Sequence, residues 1–342
     1  MPVETEYQRR LGFAVKVLGR DNLASHDTRR WQSAPHVGVS IVALRSILEY
    51  ARGEGIRMYR MSSDFVPYAT HPDMPQFHRQ IEDNAAELAE VGELARASDI
   101  RLSLHPSQYV VLNAKDEGIV AKTLWDLDSQ ARLLDAMGQG PEAVVVLHIG
   151  GVYGDKLSAL QRFVAGFERL SEPARRRLVI ENDEAHFSVR DCLWVHERVG
   201  VPIVFDHQHF RLNRGGMEMV EAARATLATW PRDVVPKIHF SSARLDGREV
   251  KRGKTLSLEA PLLRQHADYI DPWTFADFVG AIPDVRFDVM LEAKAKDLAL
   301  LKLQRDLAAL GLAHVLRGGR GAEASGPQLG REHASMAPPD AP

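Results

Sequence analysis

The chain has 342 residues, of which 45% are hydrophobic and 26% charged, the composition of an ordinary globular protein. A formal net charge of −3 excludes a generally basic DNA-coating protein, although a local basic patch would be enough for DNA binding. The single cysteine, Cys192, excludes a disulfide framework. Because the sequence has neither the apolar core of a signal peptide nor about 18 uncharged apolar residues in succession, we expect no membrane span and a cytoplasmic location.

Short apolar runs alternate with longer amphipathic stretches along the chain. The apolar runs predict strands at residues 11–15, 58–61, 100–104, 143–147, 178–180, 202–205, 236–238 and 288–291. The amphipathic stretches predict helices that include 40–52, 80–97, 121–137, 157–170, 189–199, 216–230 and 297–310. Eight apolar strands that each precede a helix predict an α/β fold, a single (β/α)₈ TIM barrel. A doubly wound open sheet is the alternative, but no Gly-rich dinucleotide motif follows the first strand.

Two segments depart from this alternation. Residues 241–269, after the seventh strand, form a long polar segment that is basic in its first half. Residues 317–342 are rich in Gly, Ala, Pro and Ser and contain almost no core-forming residues. We therefore expect a barrel domain over residues 1–316 and a disordered C-terminal tail over 317–342.

Six consecutive predicted strands end in a side chain of the type that binds metal ions. These residues are His105, His148, Glu181, Asp206, His239 and Glu292. Any one of them alone is as readily explained as a satisfied core polar group, but His, Asp and Glu make up only 60 of 342 residues, so chance explains the set poorly. The C-terminal strand ends of a TIM barrel form its active-site face, where crowded carboxylates need protons or cations to neutralise them. The pattern predicts a metal site, and mixed imidazole and carboxylate ligands favour Zn²⁺, Mn²⁺ or Fe²⁺.

Two further residues adjoin this set. His209 lies three residues past Asp206, where a turn can return its imidazole to the ion, whereas we interpret His207 as a bystander. This number of ligands exceeds what one ion needs, so we expect two or three divalent ions. Lys237 lies two residues before His239 on one strand, and both side chains would face the barrel interior. Its amine would either pair with a carboxylate or be carboxylated, and charge alone leaves both alternatives open.

Several motifs, in a consistent order, resemble those of the UV damage endonuclease family. They are HPSQY at 105–109, LHIGG at 147–151, VIEND at 179–183, FDHQH at 205–209, KIHFSS at 237–242, HADYI at 266–270 and the Glu292 of VMLEAKAKD. The resemblance extends over residues 10–310, and it is far more specific than any one of these motifs.

The resemblance implies a trinuclear metal barrel related to the apurinic-site endonucleases. The ligands that it implies are His105, His148, Glu181, Asp206, His209, His239, His266 and Glu292. His266 enters on the resemblance alone, because an isolated loop histidine is usually unremarkable. The resemblance also implies that Glu181 bridges two ions and that Lys237 is carboxylated, and it places His71 in the active site. We therefore expect Glu181, Lys237 and His71 to be catalytic, with Mn²⁺ as the metal and Zn²⁺ as the alternative.

The activity implied by the resemblance is a hydrolytic nick immediately 5′ of UV photolesions, namely cyclobutane dimers and 6-4 photoproducts. The nick would leave 3′-OH and 5′-phosphate ends, and clustered divalent ions suit such phosphodiester chemistry. Gln108 and Tyr109 match the pair that fills the gap left by flipped lesion bases. The family's first strand leads to an Asn near the lesion, whereas this chain has Phe13 and then Val17 near that place. The expected partner is double-stranded DNA containing UV lesions, and we expect a monomer.

Basic residues after the sixth and seventh strands are the candidates for phosphate contacts. They are Arg211, Arg214, Arg244, Arg248, Lys251, Arg252 and Lys254. A solvated charged loop is the alternative explanation of this run. Three other functions remain open: an apurinic-site endonuclease, a metal-dependent sugar isomerase and a non-enzymatic DNA-binding module. An isomerase would have a deep enclosed pocket and no need for a basic seventh loop, and a binding module would not need a ring of metal ligands.

Overall fold

A computed structural model describes residues 7–319, except for residue 254 and the side chains of residues 248–252. The barrel strands are β1 Leu11–Ala14, β2 Met58–Arg60, β3 Arg101–Ser103, β4 Val145–His148, β5 Leu178–Glu181, β6 Ile203–Val204, β7 Lys237–Phe240 and β8 Asp288–Leu291. Each of them overlaps a strand predicted from an apolar run. Most of their residues are buried, as expected for a parallel sheet with a packed interior and a helical layer outside.

The eight strands form one closed barrel. Five parallel strands pair in the order β3-β2-β1-β8-β7, and three pair in the order β4-β5-β6. Two isolated parallel bridges, Leu104 with Val145 and Asp206 with His239, join these groups at both edges. Backbone hydrogen bonds support the bridges, with 3.0 Å from Leu104 N to Val144 O and 2.9 Å from His239 N to Phe205 O. The predicted TIM barrel is confirmed, and the doubly wound open sheet is excluded.

Helices follow the strands and cover the outside of the barrel. Their bounds are α1 Val37–Gly53, α2 Gln80–Asp83, α3 Ala85–Ala97, α4 Glu117–Ala136, α5 Lys156–Glu168, α6 Glu172–Arg177, α7 Val189–Val199, α8 His207–Leu212, α9 Met219–Leu227, α10 Pro272–Gly280 and α11 Lys296–Ala309. The helix predicted over 80–97 is divided at Asn84, which has a non-helical ψ of 27° and whose side chain donates to Gln80 O. Among the described helices, none combines the length and the apolar character that a bilayer crossing requires.

The N-terminal face of the barrel is closed by buried polar contacts and by a small terminal sheet. Asp288 and Arg101 form a fully buried ion pair at 2.9 Å, and the Tyr7 hydroxyl donates to the same carboxylate. Tyr7–Gln8 pairs antiparallel with Arg317–Gly318, the first residues of the segment predicted to be a tail. Residues 320–342 of that segment lie outside the described residues.

The long segment after β7 contains a two-stranded antiparallel hairpin. Its strands are Arg248–Arg252 and Thr255–Glu259, and Gly253 in the turn has a φ of +65°. A bridge between Ala243 and His266 closes the base of this segment, and a hydrogen bond of 3.0 Å from Lys294 N to Ala267 O holds it to the residues that follow β8. The hairpin is not among the strands that the sequence predicts, because the residues of its second strand are mostly exposed and give no apolar pattern.

Candidate metal centre

Glu181 lies at the middle of a group of imidazoles at the C-terminal mouth of the barrel. It ends β5 and its side chain is almost fully buried. Its Oε2 is 3.2 Å from His105 Nε2 and 3.7 Å from His148 Nε2, and its Oε1 is 2.9 Å from His239 Nδ1. The ends of four different strands thus bring these side chains to one place, as the sequence predicts.

The same carboxylate belongs to two groups of potential ligands. One group consists of His105, His148 and Glu181, and the other of Glu181, Asp206, His239 and Glu292. Within each group, one candidate ligand atom per residue lies within 4.8 Å of the others. A carboxylate has two oxygens and can bridge two ions, so the position of Glu181 fits the bridging role implied by the resemblance.

His209 and His266, the other two predicted ligands, lie beside these groups. His209 Nδ1 is 3.5 Å from Glu181 Oε1 and 3.7 Å from Asp206 Oδ1. The His266 ring lies 6.4 Å from the His209 ring, centroid to centroid. His207, by contrast, stacks on Phe240 with 4.3 Å between ring centroids and belongs to neither group. All eight predicted ligands are therefore at the same mouth, with six of them in the two compact groups.

Backbone geometry at the strand ends fixes the orientation of these side chains. The fully buried Asn182 accepts from the Asp206 amide at 2.9 Å and donates to the Asp206 carbonyl at 3.2 Å, which aligns the ends of β5 and β6. The Asp206 side chain caps α8 and accepts from the His209 amide at 2.7 Å. This turn brings the His209 imidazole close to the Glu181 carboxylate, as expected from its position three residues past the strand end.

The charges within the centre are strongly coupled. Burial raises the pKa of Asp206 to about 8, with the neighbouring Glu181 and Glu292 acting in the same direction. Burial alone would lower the pKa of His209, but the carboxylates of Asp206, Glu181 and Glu292 outweigh it and raise the pKa to about 10. Burial lowers the pKa of His239 to about 4, so this imidazole is neutral at pH 7. A neutral imidazole beside ionisable carboxylates is a suitable metal ligand.

Several buried polar atoms in the centre have no hydrogen-bond partner among the described residues. They are His148 Nδ1, Asp206 Oδ2, Lys237 Nζ and His239 Nε2. Buried polar atoms are rarely left unsatisfied, and clustered exceptions suggest a missing cation or a modification. The donor set, imidazole nitrogens with carboxylate oxygens, fits Mn²⁺ or Zn²⁺. The residues therefore fit a divalent metal centre.

Lys237 is a buried amine next to this cluster. Its side chain is fully buried on β7, two residues before His239. Burial lowers the pKa of Lys237 well below its usual range, and the cations Arg101 and Arg60 add to the effect. Burial therefore favours the uncharged amine, which is the form that reacts with carbon dioxide to give a carbamate.

A groove of about 1100 Å³ leads along the mouth past the first ligand group. Its lining includes His105, His148, Gln108 and Tyr109, and Tyr109 is 79% exposed. An aromatic side chain exposed to this degree contributes little to the core, so its position is suited to contact with a ligand. The predicted probing pair therefore lies on the same face as the candidate metal centre.

The other predicted residues lie around this face, except for Lys254, which is outside the residues that the structure describes. His71 lines an adjacent cavity of about 460 Å³ with His26, Asp64 and Tyr68, and it is in neither ligand group. Arg211 lines a small separate cavity, Arg214 is exposed, and Arg244 is half-buried at the base of the hairpin segment. Arg248, Lys251 and Arg252 lie on the first hairpin strand, and their side chains are not described.

Three residues near the centre were not predicted. Arg60 ends β2 and pairs with Glu292, while Arg264 and Glu184 line the groove. A signal for Arg60 was present, because it ends its strand at the level where other strands carry ligands. Arginine is not a metal ligand, so the pattern of His, Asp and Glu at the strand ends did not include it. Arg264 and Glu184 lie in loops, where the local sequence gives no comparable signal.

Together these features define a class, an α/β barrel whose C-terminal mouth gathers histidines and carboxylates into two adjoining groups. The family model described as UV-endonuclease UvdE matches residues 24–319 of this chain. The chain belongs to this UV-endonuclease family, as its motifs predict.

Individual relatives agree with this assignment. The UV DNA damage endonuclease of Bacillus velezensis is 35% identical over 284 residues, which cover 81% of this chain and 82% of the relative. That of Bacillus mycoides is 30% identical over 267 residues, 77% of this chain and 79% of the relative. The crystal structure of SacUVDE superposes with a TM-score of 0.75 at 31% identity, over 89% of this chain and 99% of that one. The family supports a UV-damage endonuclease function with DNA as the substrate.

A more distant structure shares the fold alone. D-psicose 3-epimerase superposes with a TM-score of 0.53 at 14% identity, over 91% of this chain and 100% of that chain. At this identity the likeness says nothing about the reaction.

Proposed function

We propose that the protein is a metal-dependent hydrolase that nicks double-stranded DNA immediately 5′ of UV photolesions and leaves 3′-OH and 5′-phosphate ends. The observation that carries the proposal is the sharing of Glu181 by two ligand groups. Two adjoining groups can hold two or three divalent ions, with Mn²⁺ as the expected metal. Bound there, the ions would supply a nucleophile near neutral pH and offset charge on the transferring phosphoryl group.

Residues around that centre would have separate roles. Glu181 would hold two ions together. A carbamate on Lys237 would carry a negative charge, so this buried side chain would attract the neighbouring cations and would not repel them. His71, in the cavity that adjoins the groove, would face the DNA outside the ligand groups. Gln108 and Tyr109 would enter the duplex where the lesion bases leave the stack, since damaged bases unstack at lower cost.

Phosphate contacts would come from the basic residues on the same side of the barrel. Arg244 and the basic strand Arg248–Arg252 extend from the segment that also positions His266. Arg211 and Arg214 follow the sixth strand and would contact more distant phosphates. Such contacts orient the duplex without reading its sequence, which suits an enzyme that recognises damage.

The proposal is tested with three otherwise identical duplexes that are UV-irradiated, abasic or intact. Each is incubated with the protein and Mn²⁺, Zn²⁺ or a chelator, and the ends are mapped on a sequencing gel. We expect nicking of the irradiated strand with Mn²⁺, immediately 5′ of the lesion, and none with the chelator. Cleavage of only the abasic strand would instead identify an apurinic-site endonuclease. Failure to cleave any duplex in the metal-loaded state would exclude the nuclease function.

A further inference from the structure

Arg60 places a guanidinium against a carboxylate of the candidate metal centre. Its Nη1 contacts Glu292 Oε1, and the two side chains are only 15% and 11% exposed. The same carboxylate oxygen lies 3.4 Å from His239 Nδ1. Since Glu292 and His239 belong to the second ligand group, the arginine contacts a carboxylate that an ion in this group would also use.

The backbone of Arg60 is held firmly in the barrel. Its carbonyl accepts from the Val15 amide at 2.9 Å, and the residue pairs with Ala14 on one side and Ser103 on the other. The register of β8 against β1 pairs Met290 with Gly12, so Glu292 lies level with Ala14 from the opposite side. The small side chain of Ala14 lets Arg60 and Glu292 meet across β1.

Most of the hydrogen-bond donors of Arg60 have no partner among the residues that the structure describes. A guanidinium has five N–H donors in a planar fork. Among the described residues, a set that omits residue 254 and the side chains of 248–252, its side chain donates to Glu292 only. The remaining donors lie at the barrel mouth, and the planar fork matches two oxygens of a phosphate.

Metal binding would change the charge balance around this arginine. Without ions, Arg60 is the principal cation that offsets Glu292, which otherwise has Glu181 as a like-charged neighbour. Two divalent ions would cancel the negative charge of Glu181, Asp206, Glu292 and a Lys237 carbamate, and a third ion would make the centre net positive. The guanidinium would then be repelled from the centre, and an incoming phosphodiester would be attracted to it.

We propose that Arg60 exchanges partners during function: it gives up Glu292 to the metal ions and binds a DNA phosphate beside the centre. This inference rests on the proposed nuclease function. It assigns a phosphate-binding residue to the β2 strand end, on the side of the barrel that carries none of the predicted metal ligands.

The exchange predicts opposite effects on metal binding and on catalysis. In Arg60→Gln the competitor for Glu292 is lost, so calorimetric titration of the metal-stripped protein with Mn²⁺ at fixed pH should show about tenfold tighter binding. With Mn²⁺ saturating, kcat/KM for a UV-irradiated duplex should fall about a hundredfold, because the phosphate contact is missing. Arg60→Lys, which keeps the charge but not the fork, should be intermediate in both measurements.

Arg57→Gln is the matched control. Arg57 lies just before the same strand but pairs with Asp99 at 2.9 Å, at the opposite end of the barrel, and its loss should alter neither measurement. Thermal unfolding of each variant checks that the fold is intact. Parallel weakening of metal binding and nicking in Arg60→Gln would mean that the arginine only shapes the centre, and it would overturn the inference.

The nicking assay separates this inference from the proposed function. Nicking by the wild-type protein together with equal nicking by Arg60→Gln would overturn the phosphate role and leave the nuclease function standing. Absence of nicking by the wild-type protein would overturn both. The combination of tighter Mn²⁺ binding and slower nicking would support the exchange, because a purely structural role cannot move the two measurements in opposite directions.

Discussion

Replacing Glu181 by glutamine removes one negative charge from both ligand groups while keeping the size and shape of the side chain. The carboxylate is 1% exposed and lies 2.9 Å from His239 Nδ1 and 3.2 Å from His105 Nε2. Loss of one partner from a buried charged pair costs about 3 to 5 kcal/mol. Since about 1.4 kcal/mol corresponds to a tenfold change, the affinity for metal ions should fall roughly 10²- to 4 × 10³-fold.

The assay is a titration of metal-stripped protein with Mn²⁺, followed by nicking of an irradiated duplex at a metal concentration that saturates the wild type. We expect Glu181→Gln to lose metal and nicking together. Glu172→Gln is the matched control, because Glu172 begins α6, is 73% exposed and belongs to neither ligand group. A Glu181→Gln protein that keeps its metal and nicks at the wild-type rate would refute the shared-ligand reasoning.

Three more predictions follow from particular groups. First, the raised pKa values of Asp206 and His209, about 8 and about 10, mean that the folded metal-free protein holds protons that the unfolded chain would have released. The melting temperature of the metal-free wild type should therefore fall relative to that of Asp206→Asn as pH rises from 7 to 10, a comparison in which the opposite contribution of Lys237, whose pKa is lowered, cancels. The stabilisation by Mn²⁺ should grow over that range, because the ion displaces these protons. Second, Tyr109→Ala should reduce nicking of an irradiated duplex by roughly ten- to a hundredfold, the contribution of one stacked base, without changing metal content. Third, Asp288→Asn should lower the free energy of unfolding by about 3 to 5 kcal/mol in denaturant titrations, because it breaks the buried pair with Arg101.

Each of these has a control and a contrary outcome. A melting temperature that rises relative to that of Asp206→Asn between pH 7 and 10 without metal would contradict the assignment of raised pKa values. For Tyr109→Ala the control is Trp31→Ala. Trp31 is a half-exposed aromatic residue that does not line the groove, so its loss should leave nicking unchanged. Asp284→Asn breaks an exposed pair with Arg224 and should cost less than about 1 kcal/mol. If it destabilises the protein as much as Asp288→Asn does, burial is not the deciding factor.

The strands and the ligand set were predictable because both depend on local sequence. Runs such as 143–147 and 178–180 are apolar throughout, and a strand buried on both faces needs that composition. A parallel barrel then brings every strand end to one face, so Glu181, Asp206 and Glu292 could be placed together without knowledge of any contact. His209 followed from the turn that Asp206 caps.

Other features depend on packing that the local sequence does not encode. The pairing of Arg60 with Glu292 requires the register on both sides of β1. The hairpin after β7 exposes Leu256 and Leu258 by 62% and 77%, so it gives no burial pattern from which strands could be predicted. The cavity around His71 is formed by loops after different strands, and only their folded arrangement reveals it.

The two isolated bridges that complete the ring of strands lie directly beneath candidate ligands. Leu104, which pairs with Val145, precedes His105, and β4 ends at His148; the second bridge joins Asp206 and His239 themselves. Ions bound by these residues would link β3 to β4 and β6 to β7, the two pairs of neighbouring strands that are joined only by an isolated bridge. Removal of the ions by a chelator would then destabilise the hydrogen bonds between these strand pairs first. Amide hydrogen exchange at Leu104, Val146 and His239 would accelerate before exchange elsewhere in the strands.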